Sequence, residues 1–175
     1  IFVHGSLCYS YSGKCFFSSY LGGKSGNRGA CVQPCRRLYG HVGGGPEAVF
    51  STRDLSLLPY LPEIVPLGIA SLKIEGRMRG AEYVAGVVSA YRAALSGIRE
   101  GKAKEGVAEG ERILAGVIGR EATPGLTGGA EPSEVAAGGD TGNVGAPLGA
   151  VARVADGWAF IAGAAPVAAG GRLRI

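Results

Sequence analysis

Acidic residues are missing from the first 46 positions of this 175-residue chain: the first is Glu47, whereas Lys14, Lys24, Arg28, Arg36 and Arg37 all precede it. A stretch with cations and no anions suits an anionic partner, such as RNA phosphate, a small carboxylate or an anionic metal–sulfur centre. Histidine is scarce, with only His4 and His41 present, and neither an H-E-x-x-H zinc motif nor a G-x-S-x-G elbow occurs. That removes the usual zinc-peptidase and serine-hydrolase signatures. No apolar run approaches the roughly 18 uncharged residues of a membrane helix. The chain opens Ile1-Phe2-Val3-His4, with neither a Met nor a basic leader. It therefore reads as part of a longer, cytoplasmic product without a secretory signal.

Hydrophobic residues make up 46% and charged residues 18%, enough for a packed core over part of the length, and the 32 glycines are unevenly spread. Three zones result: 1–98 with varied composition, 99–142 as a Gly/Ala-rich linker region, and 143–175 as a small β-rich C-terminal domain. In the first zone, Ile1–His4 reads as a buried strand stopped by Gly5, followed by a Gly-punctuated loop. From Asp54 to Leu67 the apolar spacing predicts helix, split by Pro59 and Pro62. Residues 71–75 alternate as a strand, with Leu72 and Ile74 inward. From Glu82 an amphipathic helix carries Val84, Val87, Val88, Tyr91 and Leu95 on one stripe. This alternation predicts an α/β fold with a parallel sheet or barrel.

In a (β/α) barrel, residues at the C-terminal ends of strands line the ligand-binding mouth. Glu75 and Arg77 fall at such an end, and His4 ends its own strand, so these three are the candidate catalytic residues. A buried Lys73–Glu75 pair and a hydrogen-bonded histidine without chemical duties are the plain structural alternatives.

Cys8, Cys15, Cys31 and Cys35 are the only cysteines and form C-x6-C-x15-C-x3-C. Clustered thiols without a secretory signal point to a metal site before a disulfide set. Zinc favours two tight pairs, and only Cys31 and Cys35 have that spacing. Iron–sulfur centres tolerate looser spacing, so the pattern favours one while leaving zinc and disulfides open. A cysteine nucleophile served by His4 or His41 is a further option. Asn27 and Arg28, just before the second pair, are candidates to bind a carboxylate or phosphate. Tyr9 and Tyr11 offer rings for stacking a base, or simply for packing the loop.

Three blocks resemble the peptidase U32 (collagenase-like) family: Phe2 to Cys15, Gly26 to Arg36, and Ser71 to Met78 followed by Glu82-Tyr83-Val84. They cover roughly the first 98 residues, and Gly23 to Gly29 is most similar to the rRNA-hydroxylating type. Further on, Ile118 to Gly125 keeps Arg120, Thr123 and Gly125 of a family stretch but lacks its aromatics. Gly145–Val151 and Gly170–Ile175 resemble the start and end of a small β-domain. The resemblance implies the C-terminal portion of a TIM-like (β/α) barrel followed by that domain. It also implies a 4Fe–4S cluster held by Cys8, Cys15, Cys31 and Cys35. The activity implied is oxygen-independent, prephenate-dependent hydroxylation of a nucleobase in tRNA or 23S rRNA, or of ubiquinone precursors. The alternative it carries is a U32 peptidase, a collagenase-like protease.

Overall fold

The structure, a computed structural model, describes residues 1–11, 13–40, 42–129, 131–137 and 148–163. Its elements are β1 (Phe2–Ser6), α1 (Phe17–Gly22), β2 (Asp54–Ser56), α2 (Leu61–Ile64), β3 (Lys73–Ile74), α3 (Ala81–Arg99), α4 (Ala103–Ala115), β4 (Ala122–Thr123), α5 (Pro132–Val135), β5 (Ala150–Ala155) and β6 (Trp158–Ala162). The first four strands form one sheet in the order β3-β1-β2-β4. β1 pairs parallel with β3, and β2 parallel with β4, but β1 and β2 run antiparallel. The class is α/β as expected, whereas the expected all-parallel sheet is corrected to a mixed one.

The difference arises at residues 54–56, which were expected to begin a helix. Asp54 and Ser56 are buried in the extended chain beside β1. Helical structure starts only at Leu58, in three short turns over 58–60, 61–64 and 65–67. Each has a proline in its first turn, where the missing N–H costs nothing. β3 is shorter than its 71–75 pattern, but Lys73 and Glu75 still donate their amides to Ile1 and His4 carbonyls at 2.7 and 2.8 Å.

The core gathers Val3, Leu57, Leu58, Leu61, Ile64, Tyr83, Val87, Ala90, Tyr91 and Ala94, with Leu72 and Ile74 packed against it. Full burial of side chains such as Leu58, Leu61 and Val87 contributes roughly 1.5–3 kcal/mol each. The buried stripe of α3 passes through Ala90 and Ala94, while Val84 stays exposed. Small residues belong there because α4 packs closely against α3.

That packing corrects the linker expected at 99–142, whose described residues include all of α4 and β4. The α4 glycines at 106 and 110 are buried contact points. A Cβ on Gly106 would stand 2.8 Å from the Gly97 Cα of α3, and one on Gly110 would stand 2.8 Å from the Ala90 carbonyl oxygen. What looked like flexible composition is what lets two helices touch backbone to backbone. In the last zone, β5 and β6 form an antiparallel hairpin turned at Asp156 and Gly157, whose φ values of 52° and 79° suit a two-residue turn. Residues 143–147 and 164–175 of the expected β-rich domain lie outside the described residues, and with them most of the two stretches compared above.

In an open helix Gly106→Ala would raise stability by about 1 kcal/mol through helix propensity. Against the α3 backbone, overpacking of roughly 1–3 kcal/mol outweighs that gain. Urea unfolding of Gly106→Ala should therefore show a lower midpoint than the parent chain; a higher midpoint would refute the close helix contact.

Candidate metal-binding site

The loop leaving β1 is built around its cysteines. Cys8, Cys15, Cys31 and Cys35 all line one cavity of about 160 Å³, together with Asn27, Phe17 and Pro34. All four are free thiols. Among the described residues, no three His, Cys, Asp or Glu side chains converge as the ligands of a single metal ion. Four free thiols around one cavity are the donor type that thiolate-bound metal centres use.

Local contacts hold the thiols in place. Buried Ser18 of α1 donates from Oγ to Cys31 Sγ at 3.5 Å and accepts the Val32 amide at 3.2 Å. The Gln33 amide also points at Cys31 Sγ, at 3.4 Å, and Gln33 adopts a left-handed φ of 52°. Donors aimed at a sulfur are what a metal-bound thiolate requires of its surroundings. Asn27 Oδ1 accepts the Cys15 amide at 3.2 Å, so this candidate ligand-binding residue clips the loop. Burial pushes the Cys35 thiol up, opposed by the Arg36 charge beside it and reinforced by the other three cysteines.

The loop has a small core of its own. Phe17, Tyr39 and Phe50 meet with ring centroids 5.2–5.9 Å apart, and Tyr9 sets its ring edge-on to Phe50 at 5.2 Å. Tyr39 closes the cluster by donating from its hydroxyl to the Pro34 carbonyl at 2.8 Å. Tyr9 thus packs the loop and still exposes 54% of its surface; Tyr11 is more open, with Lys14 Nζ 5.4 Å from its ring centre. Lys14, Lys24, Arg28 and Arg37 are exposed around the cysteines.

The strand-end residues divide. Gly5 has φ +117°, and a Cβ there would stand 2.5 Å from the Glu75 carbonyl oxygen, so only glycine lets the ends of β1 and β3 meet. Glu75 Oε1 accepts the Arg77 amide at 2.8 Å, and Arg77 reaches the Cys31 carbonyl at 3.4 Å. These two are therefore joined to the cysteine loop, although neither lines its cavity. Lys73 is not buried with Glu75; its Nζ lies 4.5 Å from the centre of the exposed Phe2 ring.

His4 is buried, with Nδ1 3.5 Å from the Tyr91 hydroxyl, which itself donates to the Val3 carbonyl at 2.7 Å. It does not line the cysteine cavity, and His41 lies outside the described residues. Burial pulls His4 down to about 4, against the attraction of Asp54 and with the help of Arg79.

Sequence reasoning missed the strongest charge network. Asp54, almost wholly buried, pairs with Arg79 and, at 3.2 Å, with Arg120. Arg79 also lies over the Tyr83 ring at 4.7 Å, and Arg120 donates to Ser6 Oγ at 3.2 Å. Met78, at φ 64°, forms the turn that sends Arg77 towards the cysteines and Arg79 into this network. The usable sequence signal was an isolated Asp in D-L-S-L, a strand-like alternation. A second cavity of about 600 Å³ lies where Leu58, Tyr60, Leu114, Val117, Thr123 and Arg120 meet. The buried Arg120 Nε has no hydrogen-bond partner among the described residues.

The candidate site is thus a thiol-lined pocket on an α/β scaffold, reached from a segment that carries cations and no acid over its first 46 residues. Residues 1–136 match the model of peptidase family U32, and the chain belongs to that family. It is 42% identical over 103 residues to tRNA hydroxylation protein P1 of Bacillus subtilis, covering 52% of this chain and 24% of that protein. It is 37% identical over 105 residues to the 23S rRNA 5-hydroxycytidine C2501 synthase of Escherichia coli, covering 57% and 16%. It is 36% identical over 127 residues to a collagenase of Porphyromonas gingivalis, covering 69% and 35%. The chain thus spans about a third or less of the length of these relatives. No solved structure matches it. Among the described residues, no helix is long and apolar enough to cross a membrane.

Removing one partner of a buried ion pair costs about 3–5 kcal/mol because the remaining charge is stranded. Asp54→Asn should lower unfolding free energy by that order in urea titrations, and a loss below about 1 kcal/mol would show that the network is dispensable. His4 contributes the opposite pH dependence from a paired histidine. Its folded value lies below the ordinary 6.5, so the unfolded chain binds the extra proton first. This stability is complete above pH 6.5 and falls by about 3 kcal/mol as the pH drops towards 4. The urea midpoint measured across that window should flatten in His4→Gln; an unchanged slope would assign the effect to other groups.

Proposed function

We propose that this chain is the cluster-bearing part of a U32 enzyme that hydroxylates a nucleobase in tRNA or rRNA without oxygen. One observation carries the proposal: four free thiols line a single cavity within a 46-residue segment that carries cations and no acid. A 4Fe–4S cluster fits that donor set, with Cys8, Cys15, Cys31 and Cys35 as its ligands and redox chemistry as what it supplies when bound. The relatives named for tRNA hydroxylation and for rRNA hydroxycytidine synthesis support RNA as the substrate.

The chain's own residues then have distinct tasks. Lys14, Lys24, Arg28 and Arg37 attract phosphate, and Tyr11 presents an open ring to a base. Arg77 and Glu75 hold the second cysteine pair against the end of β3. We assign a small carboxylate co-substrate, prephenate, to the molecule as well; the Arg120 guanidinium at the larger cavity supports a carboxylate there. We read the parallel β1–β3 pair, and not the antiparallel β2, as the part of the sheet that belongs to a TIM-like barrel.

The collagenase relative favours a second reading, that of a peptidase. Such a nucleophile uses an adjacent base; among the described residues no histidine lines the cysteine cavity, and His41 lies outside them. Gelatin cleavage abolished by a single cysteine substitution would restore this reading.

Anaerobically purified protein should contain about four irons and four acid-labile sulfides per chain and give an EPR signal on reduction. Cys31→Ala should lose them. A deletion strain should lack one hydroxylated nucleoside by mass spectrometry of its tRNA and rRNA. Zinc in place of iron, or an unaltered nucleoside profile, would overturn the proposal.

A further inference from the structure

We propose that Arg36 is the positioning residue that assembles the cysteine pocket, by holding the first and last thiols together before any cofactor binds. Cys8 directly follows Leu7, and Cys35 directly precedes Arg36. The Arg36 guanidinium donates from Nη2 to the Leu7 carbonyl at 2.6 Å. From Nη1 it donates to the Thr52 carbonyl and to Ser51 Oγ, the latter at 3.4 Å. Thr52 Oγ1 donates to the same Leu7 carbonyl at 2.9 Å. Ser51 and Thr52 are buried, so the anchor is rigid.

One planar group therefore joins three segments: the end of β1, the short turn Pro34–Arg36, and the strand approach before β2. Leu7 and Arg36 are 29 residues apart, and the intervening chain contains Gly-rich loop and the other two cysteines. Closing such a loop costs chain entropy, which the cofactor would otherwise have to meet on binding. Arg36 is itself largely desolvated, which is tolerable because its donors find carbonyl oxygens and the sulfurs lie beside it. The fork geometry matters: a lysine delivers one point charge and does not span two carbonyls on diverging segments.

This role rests on the proposed cluster only for its purpose, and its test needs no metal. The full chain is prepared metal-free and reduced with Cys15→Ser and Cys31→Ser, leaving Cys8 and Cys35. Dibromobimane bridges two neighbouring thiols and fluoresces on doing so; monobromobimane alkylation supplies the correction for single-thiol reactivity. Arg36→Met and Arg36→Lys should each reduce corrected bridging about fivefold or more, and Thr52→Val should reduce it less, as expected from a fall in effective concentration. Circular dichroism reports whether α3 and α4 persist. Wild-type bridging in folded Arg36→Met overturns the proposal; should that variant fail to fold, undiminished bridging in Arg36→Lys and Thr52→Val does so. Iron and sulfide analysis of the parent chain decides the cluster separately, so failure of either idea is visible without the other.

Discussion

The carboxylate of Asp54 is the point on which the sheet depends. It sits at the start of β2, takes Arg79 from the turn after β3 and Arg120 from the approach to β4, and Arg120 in turn reaches Ser6 at the end of β1. One buried charge thus ties β2 directly to the turn after β3 and the approach to β4, and through Arg120 to the end of β1. A lone carboxylate in that position would cost several kcal/mol. Two guanidinium groups more than neutralise it, and the Tyr83 ring face receives part of the excess positive charge.

Around that centre the molecule has two kinds of core. Under the sheet, aliphatic side chains of the 57–64 turns meet Tyr83, Val87 and Tyr91 of α3, and glycines let α4 settle onto α3. The described residues of the cysteine loop are held by four aromatic rings, local hydrogen bonds to Cys31, and the Arg36 contacts. Such a loop keeps polar groups and thiols around a cavity without collapsing it. It is fastened to the scaffold at two places: the strand end, through Gly5, Glu75 and Arg77, and the buried Ser51–Thr52 backbone.

The charge pattern gives the proposed chemistry its setting. Exposed cations of the first 46 residues, Lys14, Lys24, Arg28 and Arg37, share with the thiols a segment that carries no acid, which suits the anionic centre and phosphate-rich substrate of the proposal. His4 is held neutral and shielded among tyrosines beneath the sheet end, which makes it part of the packing and not of the thiol pocket. The Glu75 carboxylate accepts the Arg77 amide, and the Arg77 guanidinium reaches the Cys31 carbonyl.

Much was legible from residues alone. The cysteine set, the acid-free first 46 residues, the first strand (which runs on through Gly5 to Ser6 and does not stop at Gly5), the broken helical turns and the long helix α3 follow from spacing, charge and periodicity, because those patterns are local. The start of β2 was not legible, since an apolar i, i+3 pattern beginning at Asp54 also fits a helix, and only pairing with β1 selects the extended form. Nor was α4, because buried glycine and linker glycine are identical in composition and differ only in what stands opposite. By itself the sequence determined which chemistry the chain carries: four thiols, their basic surroundings and their family. The tertiary structure alone decided which side chains meet. Asp54 with its two arginines, and Arg36 with Leu7 and Thr52, are long-range pairs that no local spacing announces, because their closeness is set by the fold of the segments between them.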